Sequence, residues 1–224
     1  PGVVLQVNLL GFIEGFEVID LTGYSGPANV GMFGVYTANS DVTVLGGSGN
    51  DYVYGGSFTS NRYVTVFEGG GGNDIYDTVT AINLFRPGSG ADSLLGGVGD
   101  DIVEMALADL DVRDVFITDS PTTDIIRFTA GGVLTQTMAD RFTGFDRLEL
   151  GPAGVSITLQ GLPELHPLDT VPGDTGYLPV FGGTGKDRIN AQSIFWTPIR
   201  IEGGQDNDTI IGTDRRVTVG GFEE

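Results

Sequence analysis

The chain has 224 residues, no cysteine, 37 glycines, and 11 basic against 30 acidic side chains, a formal net charge of −19. That balance repels a nucleic-acid backbone or an anionic membrane surface and favours cationic partners. The missing thiols exclude a disulfide framework and a thiolate metal site, while 40% hydrophobic residues suffice for a buried core.

In chain order, the opening PGVVLQVNLLGFIEGFEVIDL is interrupted by Gln6, Asn8 and Glu14, which argues against a signal peptide or a membrane insertion. Pro1 and the closing GGFEE are the ends expected of a segment of a longer protein. Glycine loops then recur: GGSGNDYVY at 46–54, GGGGNDIYD at 69–77, PGSGADSLL at 87–95, GGVGDDIVE at 96–104, GGTGKDRIN at 182–190 and GGQDNDTII at 203–211. The sixth position is aspartate in all of them (Asp51, Asp74, Asp92, Asp101, Asp187, Asp208), and the eighth is apolar or aromatic. Helical spacing is confined to MALADLDVRD at 105–114 and TQTMADRF at 135–142.

The spacings carry the architecture. From 69 to 87 is 18 residues and from 87 to 96 is 9, with 23 and 21 for the pairs 46 to 69 and 182 to 203. A six-residue turn and a three-residue strand, used twice per coil, give a parallel β-solenoid with irregular rungs and strands stacked about 4.8 Å apart. The expected fold is therefore all-β. By this spacing, loops 46–51, 69–74 and 87–92 share one edge and 96–101 falls on the other, its neighbour coming from around 114–119. A longer repeat aligns GFIEGFEVIDLTG at 11–23 with DRFTGFDRLELGP at 140–152, placing Phe16 with Phe145 and Ile19 with Leu148. It divides the chain into a first unit at 1–139 and a shorter second unit at 140–224.

Glycines at the first, second and fourth loop positions let the backbone curl and turn its carbonyls inward. The aspartate adds an anionic oxygen to that ring. Several hard oxygen ligands suit Ca²⁺ better than Mg²⁺, and a dication between stacked loops turns carboxylate repulsion into attraction.

These loops resemble the hemolysin-type calcium-binding repeat (RTX repeat, GGxGxDxUx with U apolar), a signature of parallel β-rolls. The resemblance implies side-chain ligation by Asp51, Asp74, Asp92, Asp101, Asp187 and Asp208. It also implies carbonyl donors at Ser48, Asn50, Gly71, Asn73, Ser89, Ala91, Val98, Asp100, Thr184, Lys186, Gln205 and Asn207. Three to six calcium ions are expected, which would leave a net charge of about −13 to −7 at +2 per ion. Pro87 at a first position, Asp206 at a fourth and Lys186 at a fifth depart from the pattern. The resemblance further implies a type I-exported, extracellular protein at the surface of a Gram-negative bacterium. S-layer subunits and adhesins fit the duplicated rungs, with partners that are calcium, further copies of the chain in a lattice, or a cell-surface glycan met by Tyr52, Tyr54 and Tyr63. The alternative is the passive calcium module of a secreted lipase, protease or polysaccharide epimerase.

Nothing in the chain reads as catalytic. His166 with Asp169 is a solvated loop between prolines, and Trp196 reads as core. Asp100 and Asp101 are adjacent in sequence and point to opposite faces, so they cannot flank a sugar as a carboxylate pair does at roughly 5–10 Å. Asp109, Asp111 and Asp114 read as a solvated acidic turn, with a further ion there left open.

Overall fold

The computed structural model describes residues 4–10, 18–33, 42–54, 64–78, 82–118, 122–160, 178–193, 199–212 and 217–220. The chain forms two compact units, Pro1–Val103 with Asp111–Thr122, and Glu104–Leu110 with Thr123–Glu224.

In the first unit, strands Leu5–Leu10, Ala28–Phe33, Tyr52–Tyr54, Ile75–Asp77, Ser93–Leu95 and Val115–Ile117 line up in that order in one parallel sheet. Strands Val18–Asp20, Val42–Leu45, Val64–Glu68 and Ile82–Arg86, followed by residues 101–103, form a second parallel sheet. Successive strands alternate between the two sheets, so each turn of chain adds one strand to each. This is a parallel β-solenoid. The three-residue strand after a six-residue loop holds on the first sheet at 52–54, 75–77 and 93–95, whereas the second sheet uses strands of four to five residues at 42–45, 64–68 and 82–86. A five-residue second-sheet strand serves both the 18-residue spacing from 69 to 87 and the 23-residue spacing from 46 to 69, so the additional residues of the longer one lie in sequence between Tyr54 and Val64.

Alternation decides which side chains enter the core. Val44, Val53, Phe67, Tyr76, Phe85, Leu94, Val103 and Phe116 are all fully buried. The aromatic rings among them pack along the solenoid: Phe67 stacks on Phe85 at 5.4 Å, while Tyr76 meets Phe67 edge to face at 5.6 Å and Phe116 meets Phe85 edge to face at 6.2 Å. Burying each ring contributes about 2–3 kcal/mol relative to exposure. On the outside of the second sheet Arg86 pairs with Glu68 at 2.6 Å across neighbouring rungs.

The second unit repeats the plan. Strands Ile125–Ala130, Arg147–Leu150, Leu178–Phe181, Ile199–Glu202 and Val217–Gly220 form one parallel sheet. Gly132–Thr135, Ser156–Gln160, Arg188–Ser193 and Thr209–Ile211 form another. The two stretches with helical spacing supply one turn each, a 3₁₀ turn at Leu107–Asp109 and an α-turn at Gln136–Ala139, capped by Thr135 Oγ1, which accepts from Met138 N at 3.4 Å. Among the described residues no helix is long and apolar enough to cross a membrane.

Candidate metal centre

In the first unit the connections from the second sheet to the first that lead into Tyr52, Ile75, Ser93 and Val115 each end in an aspartate, and those aspartates stand above one another. Asp51, Asp74, Asp92 and Asp114 immediately precede Tyr52, Ile75, Ser93 and Val115, which are register partners in the first sheet. The links between them repeat. Asp51 N donates to Asp74 Oδ1, Asp74 N to Asp92 Oδ1 and Asp92 N to Asp114 Oδ1, each at 2.8 Å. Returning bonds run from Ile75 N to Asp51 O, Ser93 N to Asp74 O and Val115 N to Asp92 O at 2.8–2.9 Å. All four carboxylates are buried.

The other loop positions form ladders too. Asn50 Oδ1 accepts from Asn73 N, and Asn73 Oδ1 from Ala91 N, both at 2.9 Å. At the third position Ser48 N donates to Tyr24 O at 3.2 Å and Gly71 N to Gly47 O at 3.0 Å, while the Ser89 carbonyl accepts from Gly72 N at 3.0 Å. One lone pair of that carbonyl is therefore engaged and the second faces away from this bond.

The second unit carries a shorter column. Val155 N donates to Asp187 Oδ1 at 2.6 Å and Asp187 N to Asp208 Oδ1 at 2.9 Å. Thr184, Lys186, Gln205 and Asn207 are exposed on the rim of these loops. Asp206, where the pattern has glycine, adopts the left-handed φ of 74° that glycine takes at 185 (φ 109°), and its Oδ2 accepts from Gly185 N at 3.2 Å.

Loop 96–101 does lie on the opposite edge, joining Ser93–Leu95 to the strand starting at Asp101. Its partners differ from those expected. Gly97 N donates to Thr78 Oγ1 at 2.8 Å, and Gly96 N to Ile117 O at 2.7 Å, beside Thr118. Asp101 is the register partner of Asn83, whose Nδ2 donates to its Oδ1 at 2.7 Å, and Asn83 Oδ1 in turn accepts from the buried Tyr76 hydroxyl at 3.1 Å. The Asp100 carbonyl accepts from Asn83 N at 3.0 Å, and Val98 projects into solvent. Asp114 belongs to the other edge and cannot be the partner of this loop. Nor is it part of a solvated turn: its side chain is fully buried, while Asp109 is exposed. Asp119, His166, Asp169, Trp196 and Tyr63 lie outside the described residues.

Stacked carboxylates without a counter-charge resist ionisation. Burial, reinforced by the Asp92 and Asp51 charges, pushes Asp74 up to about 8, and burial with the Asp114 and Asp111 charges pushes Asp92 up to about 7. Asp114 and Asp187 are raised by burial as well. A dication reverses the preference. The residues fit one. Asp74 Oδ2 and Asp92 Oδ2 are buried and have no hydrogen-bond partner among the described residues. A Cβ at Gly69 would collide with Asp74 Oδ2 and the Pro87 carbonyl, so the glycine keeps an oxygen-lined space open. No three side chains among the described residues converge as a metal cluster. An ion must therefore draw on main-chain carbonyls along with carboxylates, a donor set of hard oxygens that suits Ca²⁺.

Alternating parallel sheets closed on one edge by stacked acidic loops define a cation-binding β-solenoid. The family model of the RTX calcium-binding nonapeptide repeat matches in 4 copies over residues 36–59, 88–104 and 200–214, so the chain carries RTX calcium-binding repeats. No curated protein and no solved structure matches it. Loops 69–74 and 182–187 fall outside the matched residues and are brought into the columns by the fold.

Proposed function

We propose that this chain is a structural, non-catalytic calcium-binding segment of a secreted protein at the surface of a Gram-negative bacterium, of the kind that builds surface layers or adhesive stalks. The carrying observation is the buried column Asp51, Asp74, Asp92 and Asp114. Each column carboxylate hydrogen-bonds to the main chain of the preceding rung, so ion binding and rung stacking are one event. Bound calcium supplies charge compensation between rungs. The aspartates and the carbonyls of residues such as Ser48, Asn50, Gly71, Asn73 and Ala91 would hold it, with Asp187, Asp208 and their loops doing so in the second unit.

Calcium scarcity then leaves a chain of net charge −19 with carboxylates that resist burial, and calcium at extracellular concentrations favours the stacked form. The fold thereby reports its location. Rungs added in register lengthen a solenoid, which supports a role in a surface layer or an adhesive stalk. A calcium titration followed by circular dichroism tests this reading: a cooperative gain of β-structure, reversed by EDTA, is expected, and a spectrum indifferent to both overturns it.

A further inference from the structure

We infer that the calcium column of the first unit continues one rung past its last glycine loop, with the Asp92 and Asp114 carboxylates holding a divalent cation against the turn at residues 111–114. The segment LADLDVRD at 107–114 contains no glycine, and the match at 88–104 stops short of it. The inference rests on the calcium reading above.

Three relations carry it. Ser93 pairs with Val115, so Asp114 stands one rung beyond Asp92, and the bond from Asp92 N to Asp114 Oδ1 at 2.8 Å repeats those from Asp51 to Asp74 and from Asp74 to Asp92. Asp92 Oδ1 is taken by Asp74 N, while its Oδ2 is buried with no partner among the described residues. In the two preceding rungs that same oxygen lies beside the first residue of its own loop, close to a carbonyl of the following one: Gly69 O next to Asp51 and Pro87 O next to Asp74. The third rung has Pro87 at that first position, so an ion beside Asp92 Oδ2 would be held on the side of the turn at residues 111–114 and not in the space a glycine leaves open.

The turn is shaped by hydrogen bonds where the other loops use glycine. Asp114 N donates to Asp111 O at 3.1 Å, Asp111 N to Asp114 Oδ2 at 2.7 Å, and Arg113 N to Asp111 Oδ1 at 2.9 Å. The Arg113 guanidinium pairs with Asp111 at 2.9 Å on the exposed side. It therefore places a competing positive charge beside the site. The donors are oxygens only, without His or Cys, which selects a hard cation over a transition metal.

Native mass spectrometry and calorimetry on the full 224-residue chain test this with calcium alone. Asp114→Asn should bind one ion fewer than wild type while its circular dichroism at saturating calcium is unchanged. Arg113→Gln, which alters only an exposed side chain, should tighten the weakest site by about two- to fivefold, the range of an exposed charge's influence. Wild-type stoichiometry and affinity in Asp114→Asn overturn the inference. Should that variant fail to fold, an unchanged calcium isotherm for Arg113→Gln overturns it. A wild-type chain that takes up no calcium at all overturns the functional reading, a separate result.

Discussion

The main-chain N–H of Asp74 donates to Oδ1 of Asp92 at 2.8 Å, one rung further along the same edge. An amide at position 92 keeps that acceptor and loses the charge. Asp92→Asn is therefore expected to stabilise the calcium-free chain at pH 8, because it removes a carboxylate whose ionisation burial opposes. The same change should weaken calcium binding by at least about tenfold, or about 1.4 kcal/mol. Urea melts in EDTA and calorimetric titration measure the two effects. Both moving in the same direction would contradict the assignment of Asp92 as a ligand.

The pH response follows from Asp74 at about 8 and Asp92 at about 7, against about 3.9 for an unfolded aspartate. A carboxyl raised in the folded state holds its proton more tightly there. Its stabilisation is complete below about pH 4 and is lost as pH climbs through 7 and 8. The calcium-free chain should thus resist urea better at pH 5 than at pH 8.5. Calcium binding requires the charged form, so it should strengthen over the same window and release about one to two protons per chain near pH 7. Calorimetry in buffers of different ionisation enthalpy counts those protons.

At Gly69 the backbone is ordinary, yet a Cβ would run into Asp74 Oδ2 and the Pro87 carbonyl. Gly69→Ala fills the oxygen-lined space without imposing a forbidden backbone angle. The expected outcome is loss of one calcium ion in native mass spectra, with the remaining ions retained. A full complement of ions would place the cation elsewhere.

Asp206 holds φ at 74°, a conformation that costs most L-residues about 1–2 kcal/mol. Its carboxylate offsets part of this by accepting from Gly185 N. Asp206→Gly should change stability by less than about 1 kcal/mol, since relief of strain and loss of the bond oppose each other. Asp206→Ala keeps the strain and loses the bond, and should cost about 1–2 kcal/mol. Thermal melts in saturating calcium separate the two.

The columns were legible because an aspartate ends each glycine loop: 18 residues from Asp74 to Asp92 are two half-turns, and nine more place Asp101 across the solenoid. Glycine is an incomplete mark of a rung, since Asp114 joins the column from a turn without any. The better mark is the aspartate followed at the second position by a buried residue. Asp114 precedes Phe116 as Asp92 precedes Leu94 and Asp74 precedes Tyr76, all three of those followers fully buried. The neighbours of loop 96–101 were hidden for a related reason. Thr78, Asn83 and Thr118 sit in strands or at their ends, and only the register pairing Asp101 with Asn83 reveals them. The two lengths of strand were not legible, since glycine loops report where a rung turns and not how many residues pair.

The aspartate ladder has a direction. Each buried N–H at the head of a first-sheet strand is met by the carboxylate of the rung that follows it in sequence, from Ala28 met by Asp51 to Asp92 met by Asp114. Removing a rung from the C-terminal side strips a partner from a buried donor, a loss of about 1–3 kcal/mol. Removal from the N-terminal side returns a carboxylate oxygen to water and frees the N–H of Ile75, Ser93 or Val115, residues that are exposed or half-buried and can be met by solvent. The column of the first unit is thus expected to fray asymmetrically and to be completed from its C-terminal side, each rung closing the one before it.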